Sequence, residues 1–376
     1  MVSYDVASVC DLNMIRDPLV LKNKGLKIKN KGNLCIMKYD KGQICNENFY
    51  SLGLFRSIVV KDGKIISFSP PKSMNYGNFR DRYNINDCRF EEFVEGTMIH
   101  CFFDERWEIA TKSVIGAGFK GSNIQAKTFK DMFLDAMFEC KMRFDHLNKD
   151  YSYIFILQHP DNRIVTPFEK PALVLLKIYK NEELVHEKNI YAKEFDELRM
   201  LTRTPYKYTY TTWEDVDHCH DRLDWFHPGV MMYAPDGTRS KIRNKKYENV
   251  KRLKGNSFKM QYQYLNLRKM RKIGEFLKYY PELQDKFTKY RNDVHVWTKR
   301  LYNYYVGFKI KHEIENDQIP YQFRPHVWNL HNIYIAYGKS ITFQKVIQYV
   351  NDLDPRRMMF AMNYELRETR TASSSH

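Results

Sequence analysis

Three stretches of this chain carry residue types that could do chemistry. The first, "GAGFKG" at 116–121, has the G-x-G-x-x-G spacing that lets a backbone approach a pyrophosphate. That use requires a strand-to-helix turn in a βαβ unit and a later acidic ribose ligand. Here the next acids fall inside a helical pattern and the neighbouring strands read as antiparallel, so the stretch reads as a glycine-rich loop. The second, "DVDHCHD" at 215–221, gathers Asp217, His218, Cys219 and His220. Adjacent residues rarely converge on one tetrahedral metal, so it reads as a polar loop and no metal site is expected. The third is a basic region, from "KIRNKKYENVKRLKG" into "NLRKMRKIGEFLKYY", which interleaves cations and aromatics. That mixture can combine phosphate contact with base stacking.

The candidate nucleic-acid contacts in the third stretch are Lys245, Lys246, Lys251, Arg252, Lys254, Arg268, Lys269, Arg271 and Lys272. From Lys241 to Lys311 there are 20 Lys and Arg against 5 Asp and Glu, so nearly all of the net charge of +16 lies in one segment. Two readings fit: a surface for a polyanion, nucleic acid first, because neutralising phosphates releases counterions, or a solvated face that aids solubility. Tyr290, Trp297 and Tyr304 recur at helical spacing and read as core rather than as stacking platforms.

The elements that must position these groups change character along the chain. Up to about residue 250, short apolar or alternating runs ("FRSIVV", "MIHCFF", "YIFIL", "ALVLLKIY") predict strands, and Asp62-Gly63 and Asp236-Gly237 predict hairpin turns. One helix interrupts them in "TFKDMFLDAMFECKMRFDHL", where Phe129, Met132, Phe133, Ala136, Met137, Cys140 and Phe144 recur at three and four. Beyond about residue 255 the period is helical: Leu283, Phe287, Tyr290, Val294, Trp297, Leu301 and Tyr304 form one stripe behind Pro281. "TFQKVIQYVND" predicts another helix, and Asp354-Pro355 an N-cap and first turn. The fold class expected is α+β, an antiparallel-sheet domain over 1–252 followed by an all-helical domain over 253–368, with a disordered tail over 369–376.

Composition narrows the classes further. No apolar run reaches the ~18–20 residues of a membrane span, and the N-terminus lacks a basic start followed by an apolar run. An intracellular protein is expected. Seven scattered cysteines without C-x-x-C spacing fit reduced thiols rather than a disulfide framework or a zinc finger.

The most informative feature is an order of short motifs: "LFRSIVVKDGK" with Arg56, "EFVEGTMIHCFF", "IATKS" with Lys112, "YIFILQHPDNRIV", "HPGVMMYAPDG", and "SKIRNKKY" with Lys241, Arg243 and Tyr247. Over about 200 residues this series resembles the nucleotidyltransferase domain of the tRNA-repairing RNA ligases of the T-even phages. "HPDNRIV" (159–165) is its most specific piece. The resemblance implies an RNA ligase-like domain with ATP and Mg as reactants of any surviving family activity, and a helical C-terminal domain that meets tRNA-like RNA. Where the family's K-x-D-G-S lysine attacks the α-phosphate of ATP, this chain has Phe93, followed by Val94 and by Glu95, Gly96 and Thr97 in place of D-G-S. The F-E carboxylate falls on Ile156 and the E-G glutamate on Pro228. "MKYDKG" is a broken echo of K-x-D-G, with Lys38 one residue out of register, and reads as a surface hairpin.

A phenyl ring has no lone pair to donate, and hard oxygen ligands are needed for a divalent ion at a triphosphate. These replacements predict a catalytically inactive, pseudo-ligase chain without cofactor, an RNA-binding or assembly protein rather than an enzyme. Two alternatives stand beside it: a viral structural or scaffold protein without RNA affinity, and an RNA ligase with a relocated nucleophile, Lys38 or Lys112. Arg56, Thr97, Lys112, Lys241 and Arg243 match nucleotide- or phosphate-contacting family positions. Either they still hold a phosphate, or they pair with Glu91, Glu92 or Glu95 and stabilise the fold.

Overall fold

Apolar runs that bury both faces of a strand dominate the first two thirds of the chain. The computed structural model describes residues 2–10, 12, 23–118, 127–255 and 259–366. The expected tail at 369–376 and the second half of "GAGFKG" lie outside the described residues. Contacts divide the chain into two compact units, 1–251 and 252–376.

Among the described residues the first unit holds three sheets whose ladders are all antiparallel. A six-stranded sheet runs in the order β1 (Ser3–Tyr4), β11 (Val185–Lys188), β10 (Ala172–Asn181), β9 (Tyr151–Gln158), β7 (Thr97–Asp104), β8 (Arg106–Thr111). A second sheet is formed by β2 (Leu26–Lys31), β3 (Leu34–Tyr39), β4 (Ile58–Lys61) and β5 (Lys64–Phe68). The third has the order β12 (Lys207–Tyr208), β6 (Arg89–Glu92), β13 (Gly229–Tyr233), β14 (Arg239–Arg243).

Alternation along β9 explains why "YIFIL" is apolar throughout. Ile154 and Ile156 face a core shared with Phe55, Ile58, Val60 and Phe68 of the second sheet region. Phe155 and Leu157 face the opposite core, built with Phe133 and Met137 of the helix Phe129–Glu139. That helix is shorter than its sequence period predicts. It stops at Glu139, Lys141 takes a left-handed conformation (φ 56), and Phe144 enters a separate 3-10 turn. The Asp62-Gly63 and Asp236-Gly237 turns join β4 to β5 and β13 to β14, with positive φ at Asp62, Gly63 and Gly237.

Short helices at Phe49–Leu52, Tyr76–Arg82 and Trp213–Asp217 belong to this unit. The second unit is helical. In chain order it comprises the end of Lys245–Lys254, then Met260–Lys269, Ile273–Tyr279, Gln284–Lys309, Arg324–Tyr337, Phe343–Asp352 and Pro355–Met362. Its core is aromatic: Trp297 stacks on Phe323 at 5.0 Å and Phe276 on Phe287 at 5.1 Å. Asp354 caps its helix as expected, accepting from the amides of Arg356 and Arg357. Among the described residues no helix is long and apolar enough to cross a membrane.

Candidate functional site

Strand β6 leads into the segment that begins with Phe93, the position that the motif resemblance sets against the family's lysine. Phe93 leaves β6 with its amide donating to the carbonyl of Gly229 at 3.1 Å, and its ring is half-buried. On β14, in the row that runs Glu91–Met231–Lys241 across the sheet, the Lys241 amine sits 5.5 Å from the centre of the Phe93 ring. It donates to Ser73 Oγ at 2.9 Å. Burial pushes the Lys241 ammonium down to about 7, and Arg239, Arg243, Arg56 and Lys72 push in the same direction.

The other cations gather beside it. Arg56 is half-buried in front of β4, where its guanidinium meets the carbonyl of Pro70 at 3.4 Å and the Met98 sulfur at 3.6 Å. Burial and then Arg239 lower its guanidinium to about 9, so it stays charged at neutral pH. Arg239 is 7 % exposed and donates to the carbonyls of Pro71 at 2.6 Å and Pro70 at 3.3 Å. Lys112 lies 5.5 Å from the centre of the Tyr39 ring, and burial, followed by Arg56, Lys41 and Lys38, brings it down to about 8. Lys38 donates to Ser113 Oγ at 2.7 Å, and its pKa is lowered by burial and by Lys27, Lys29 and Lys41. These cations depress one another, which is the electrostatic condition that an incoming anion relieves.

The acids offered as ion-pair partners are committed elsewhere. Glu91 pairs with Arg89 at 2.8 Å and Glu92 with the Arg203 guanidinium. Glu95 is 5 % exposed and accepts from the amides of Val165 at 2.8 Å and Thr166 at 3.0 Å and from Thr166 Oγ1 at 2.7 Å. It clamps the end of "HPDNRIV" rather than neutralising Arg56, Lys112 or Lys241.

Two predicted anion contacts are likewise spoken for. Thr97 Oγ1 accepts from Asn162 at 2.8 Å, so it latches the same segment, and Arg243 pairs with Glu248 at 2.8 Å. Ile156 is 8 % exposed and packs into the core, with its methyl directly beneath Gly96. Pro228 is buried and offers only its carbonyl, which accepts from the Asn244 amide at 2.9 Å. Neither residue carries a side-chain oxygen, so these positions do not fit the divalent ion that the resemblance implies.

Below the cations His100 is fully buried between Ser67 Oγ at 2.8 Å and Ser57 Oγ at 2.9 Å. Burial, reinforced by Arg56, drives it to about 3 and keeps it neutral. Ser57 in turn donates to the Lys112 carbonyl at 3.1 Å, so this column fixes the backbone at Lys112, just past the end of β8. Lys72, Ser73, Arg239 and His100 were not singled out from the sequence. Arg239 stands two residues before Lys241, so strand alternation puts both on one face and would have found it. Lys72 follows two prolines on an irregular connection and carries no such signal.

The basic stretch is divided by the fold. Lys245, Lys246 and Lys251 belong to the first unit, and Lys246 reaches the carbonyl of Leu223 at 3.0 Å. Arg252, Lys254, Arg268, Lys269, Arg271 and Lys272 belong to the second, with Lys269 on the Asp352 carbonyl at 3.4 Å. Two of its interleaved aromatics are not available for stacking: Phe276 and Tyr280 are buried against each other at 4.6 Å, while Tyr279 is half-buried. In "DVDHCHD", whose first three residues end the helix Trp213–Asp217, Asp217 accepts from Tyr76 and Arg80, His218 Nδ1 lies 3.2 Å from the Asp221 carboxylate, and Cys219 is buried.

With this geometry in place, the chain can be set beside known proteins. No protein-family model matches the chain. Over 219 residues it is 28 % identical to a protein named RNA ligase from Rhodothermus phage RM378, a match spanning 47 % of this chain and 49 % of that protein. The chain therefore spans about half the length of the curated relative it matches. Among solved structures it is similar to an archaeal ATP-dependent RNA ligase (12 % identity, 72 % of this chain and 69 % of that one, TM-score 0.42). It is also similar to an RNA ligase of Naegleria gruberi (11 % identity, 55 % and 68 %, TM-score 0.37). Over the matched span the chain is thus similar in sequence to a protein named RNA ligase.

The phage relative corrects the expectation of a non-enzyme, because a relative that bears the name of a ligase points to an enzyme. The physical reason is visible at Phe93. Position 93 carries no amine of its own, yet an amine is at hand, since Lys241 reaches the Phe93 ring from β14.

Proposed function

We propose that this chain is an RNA ligase-type enzyme that acts on RNA ends, with nucleotide phosphates held by Arg56, Lys112, Arg239 and Lys241. In this reading the Lys241 amine takes the part that the K-x-D-G-S lysine plays in the ligases. The observation that carries it is the placement of that amine on the Phe93 ring, hydrogen-bonded to Ser73 and surrounded by cations rather than carboxylates. An amine titrating near 7 is available as the free base at working pH, which is what a nitrogen nucleophile requires.

The chemistry balances as follows. The Lys241 lone pair attacks the α-phosphorus of a nucleoside triphosphate, an N–P bond forms, the bond from that phosphorus to the β-bridging oxygen breaks, and pyrophosphate leaves with the electron pair. The amine loses one proton to solvent. Arg56, Lys112 and Arg239 face the developing charge of the leaving group, a stabilisation fixed before reaction. The same proposal includes the closer kinship to the T-even tRNA-repair ligases, a tRNA-like RNA as substrate, and the assignment of 1–252 and 253–368 as nucleotidyltransferase and helical domains.

The test is incubation with α-labelled ATP followed by a denaturing gel, on the wild type and on Lys241→Met and Lys112→Met. The proposal expects label on the wild type and on Lys112→Met, and none on Lys241→Met. An unlabelled wild type, or label that survives in Lys241→Met, overturns it.

A further inference from the structure

The connection Pro70–Met74 has the cation cluster on one side and a second feature on the other. Ser73 accepts from Lys241, whereas the neighbouring Lys72 places its amine 5.1 Å from the centre of the Phe49 ring. The strut is held rigidly: the Lys72 amide donates to the Gly53 carbonyl at 2.9 Å, the Met74 amide to the Arg239 carbonyl at 2.7 Å, and Arg56 and Arg239 both meet Pro70. Beside Phe49, Tyr50 is 47 % exposed, and the Arg82 guanidinium lies 5.0 Å from its ring centre and donates to its hydroxyl.

Two adjoining hollows open on this shelf, of about 360 and 210 Å³, and both are lined by Phe49, Tyr50, Lys72 and Arg82. The larger lies at the lower end of the ~300–1,000 Å³ usual for small-ligand sites. The carboxylate on the rim, Asp236, accepts from Tyr83 and from the Thr238 amide, and Arg239 lines the same hollow.

An exposed aromatic ring under a guanidinium, with a lysine one step away, matches what an unpaired nucleotide presents: a flat base and an adjoining phosphate. We propose that the Tyr50–Arg82–Lys72 shelf is a nucleotide subsite for single-stranded RNA. A base stacks on Tyr50 beside Arg82, and its phosphate passes Lys72 towards the cleft at Lys241. This rests on the reading that the cleft handles RNA, and adds to it the side from which a strand arrives. Because every base has a π face, the subsite is tolerant of sequence.

Fluorescence anisotropy of a labelled single-stranded RNA with the full chain tests it, using wild type, Tyr50→Ala, Tyr50→Phe, Arg82→Gln and Lys241→Met, and an abasic oligonucleotide of the same length. Removing one stacking ring should weaken binding roughly 5- to 150-fold, with Tyr50→Phe close to wild type. Arg82→Gln should lower the slope of log affinity against log salt by about 0.7. The abasic strand should bind wild type and Tyr50→Ala alike. If wild type binds no RNA, the reading of the cleft fails and the shelf with it. If wild type binds, Lys241→Met weakens it, and Tyr50→Ala and the abasic strand change nothing, the shelf alone is overturned.

Discussion

Raising the pH should loosen RNA, and the size of the effect follows from two lysines. Lys241 titrates near 7 and Lys112 near 8, both held down first by burial and then by neighbouring cations. An RNA without a terminal phosphate keeps constant charge from pH 6 to 8.5, so any change in its affinity belongs to the protein. Over that range the protonated fraction of Lys241 falls from about nine tenths to about three hundredths, an affinity loss of up to about 30-fold for an anion that needs the charge. Lys112 adds up to about 4-fold on the same arithmetic. Both are upper bounds, because a bound anion draws the proton back on. Anisotropy titrations at constant ionic strength, needed because salt alone moves such affinities, should give affinity falling steeply above pH 7. In Lys241→Met the fall should shrink to the Lys112 share. Affinity that is flat with pH in the wild type, or an unchanged slope in Lys241→Met, would refute the assignment of these cations to phosphate binding.

Two further outcomes concern the frame of the site. His100 has a folded pKa near 3, below its unfolded value of about 6.5, so between those limits the unfolded chain binds a proton that the folded chain refuses. Stability should therefore fall with acidification, by about 2 kcal/mol from pH 7 to pH 5, and chemical denaturation should show that share vanish in His100→Asn relative to wild type. Glu95→Ala strips the acceptor from the amides of Val165 and Thr166, which should cost about 2–4 kcal/mol and expose 159–166 to proteolysis; unchanged urea stability would remove the clamp from the account.

The sheets were legible because β9 and β10 carry strand-length apolar runs and because the Asp-Gly turns demand positive φ. The helix that begins at Phe129 was read too long, since its apolar spacing continues through Cys140 and Phe144 while Lys141 turns left-handed. Motif order brought Arg56, Lys112 and Lys241 to attention, and the fold sets them in one electrostatic neighbourhood. It could not show that Thr97 and Arg243 are committed to Asn162 and Glu248, because partners 65 and 5 residues away are set by tertiary packing.

The inference from Phe93 to an inactive chain went astray for a related reason. A single position was read for its missing amine, whereas the space above that position is shared with β14, two strands across the sheet from β6 and outside any local pattern. Aromatics in the basic stretch misled in the opposite sense: Phe276 and Tyr280 alternate with lysines in sequence but pack inward, one on the helix Ile273–Tyr279 and the other at its C-cap.

The most direct measurement is peptide mapping by mass spectrometry after incubation of the full chain with ATP, under alkaline handling that preserves a phosphoramidate. The account predicts an added AMP on the peptide that carries Lys241. An adduct on Lys38 or Lys112 instead, or no adduct at all, would contradict it.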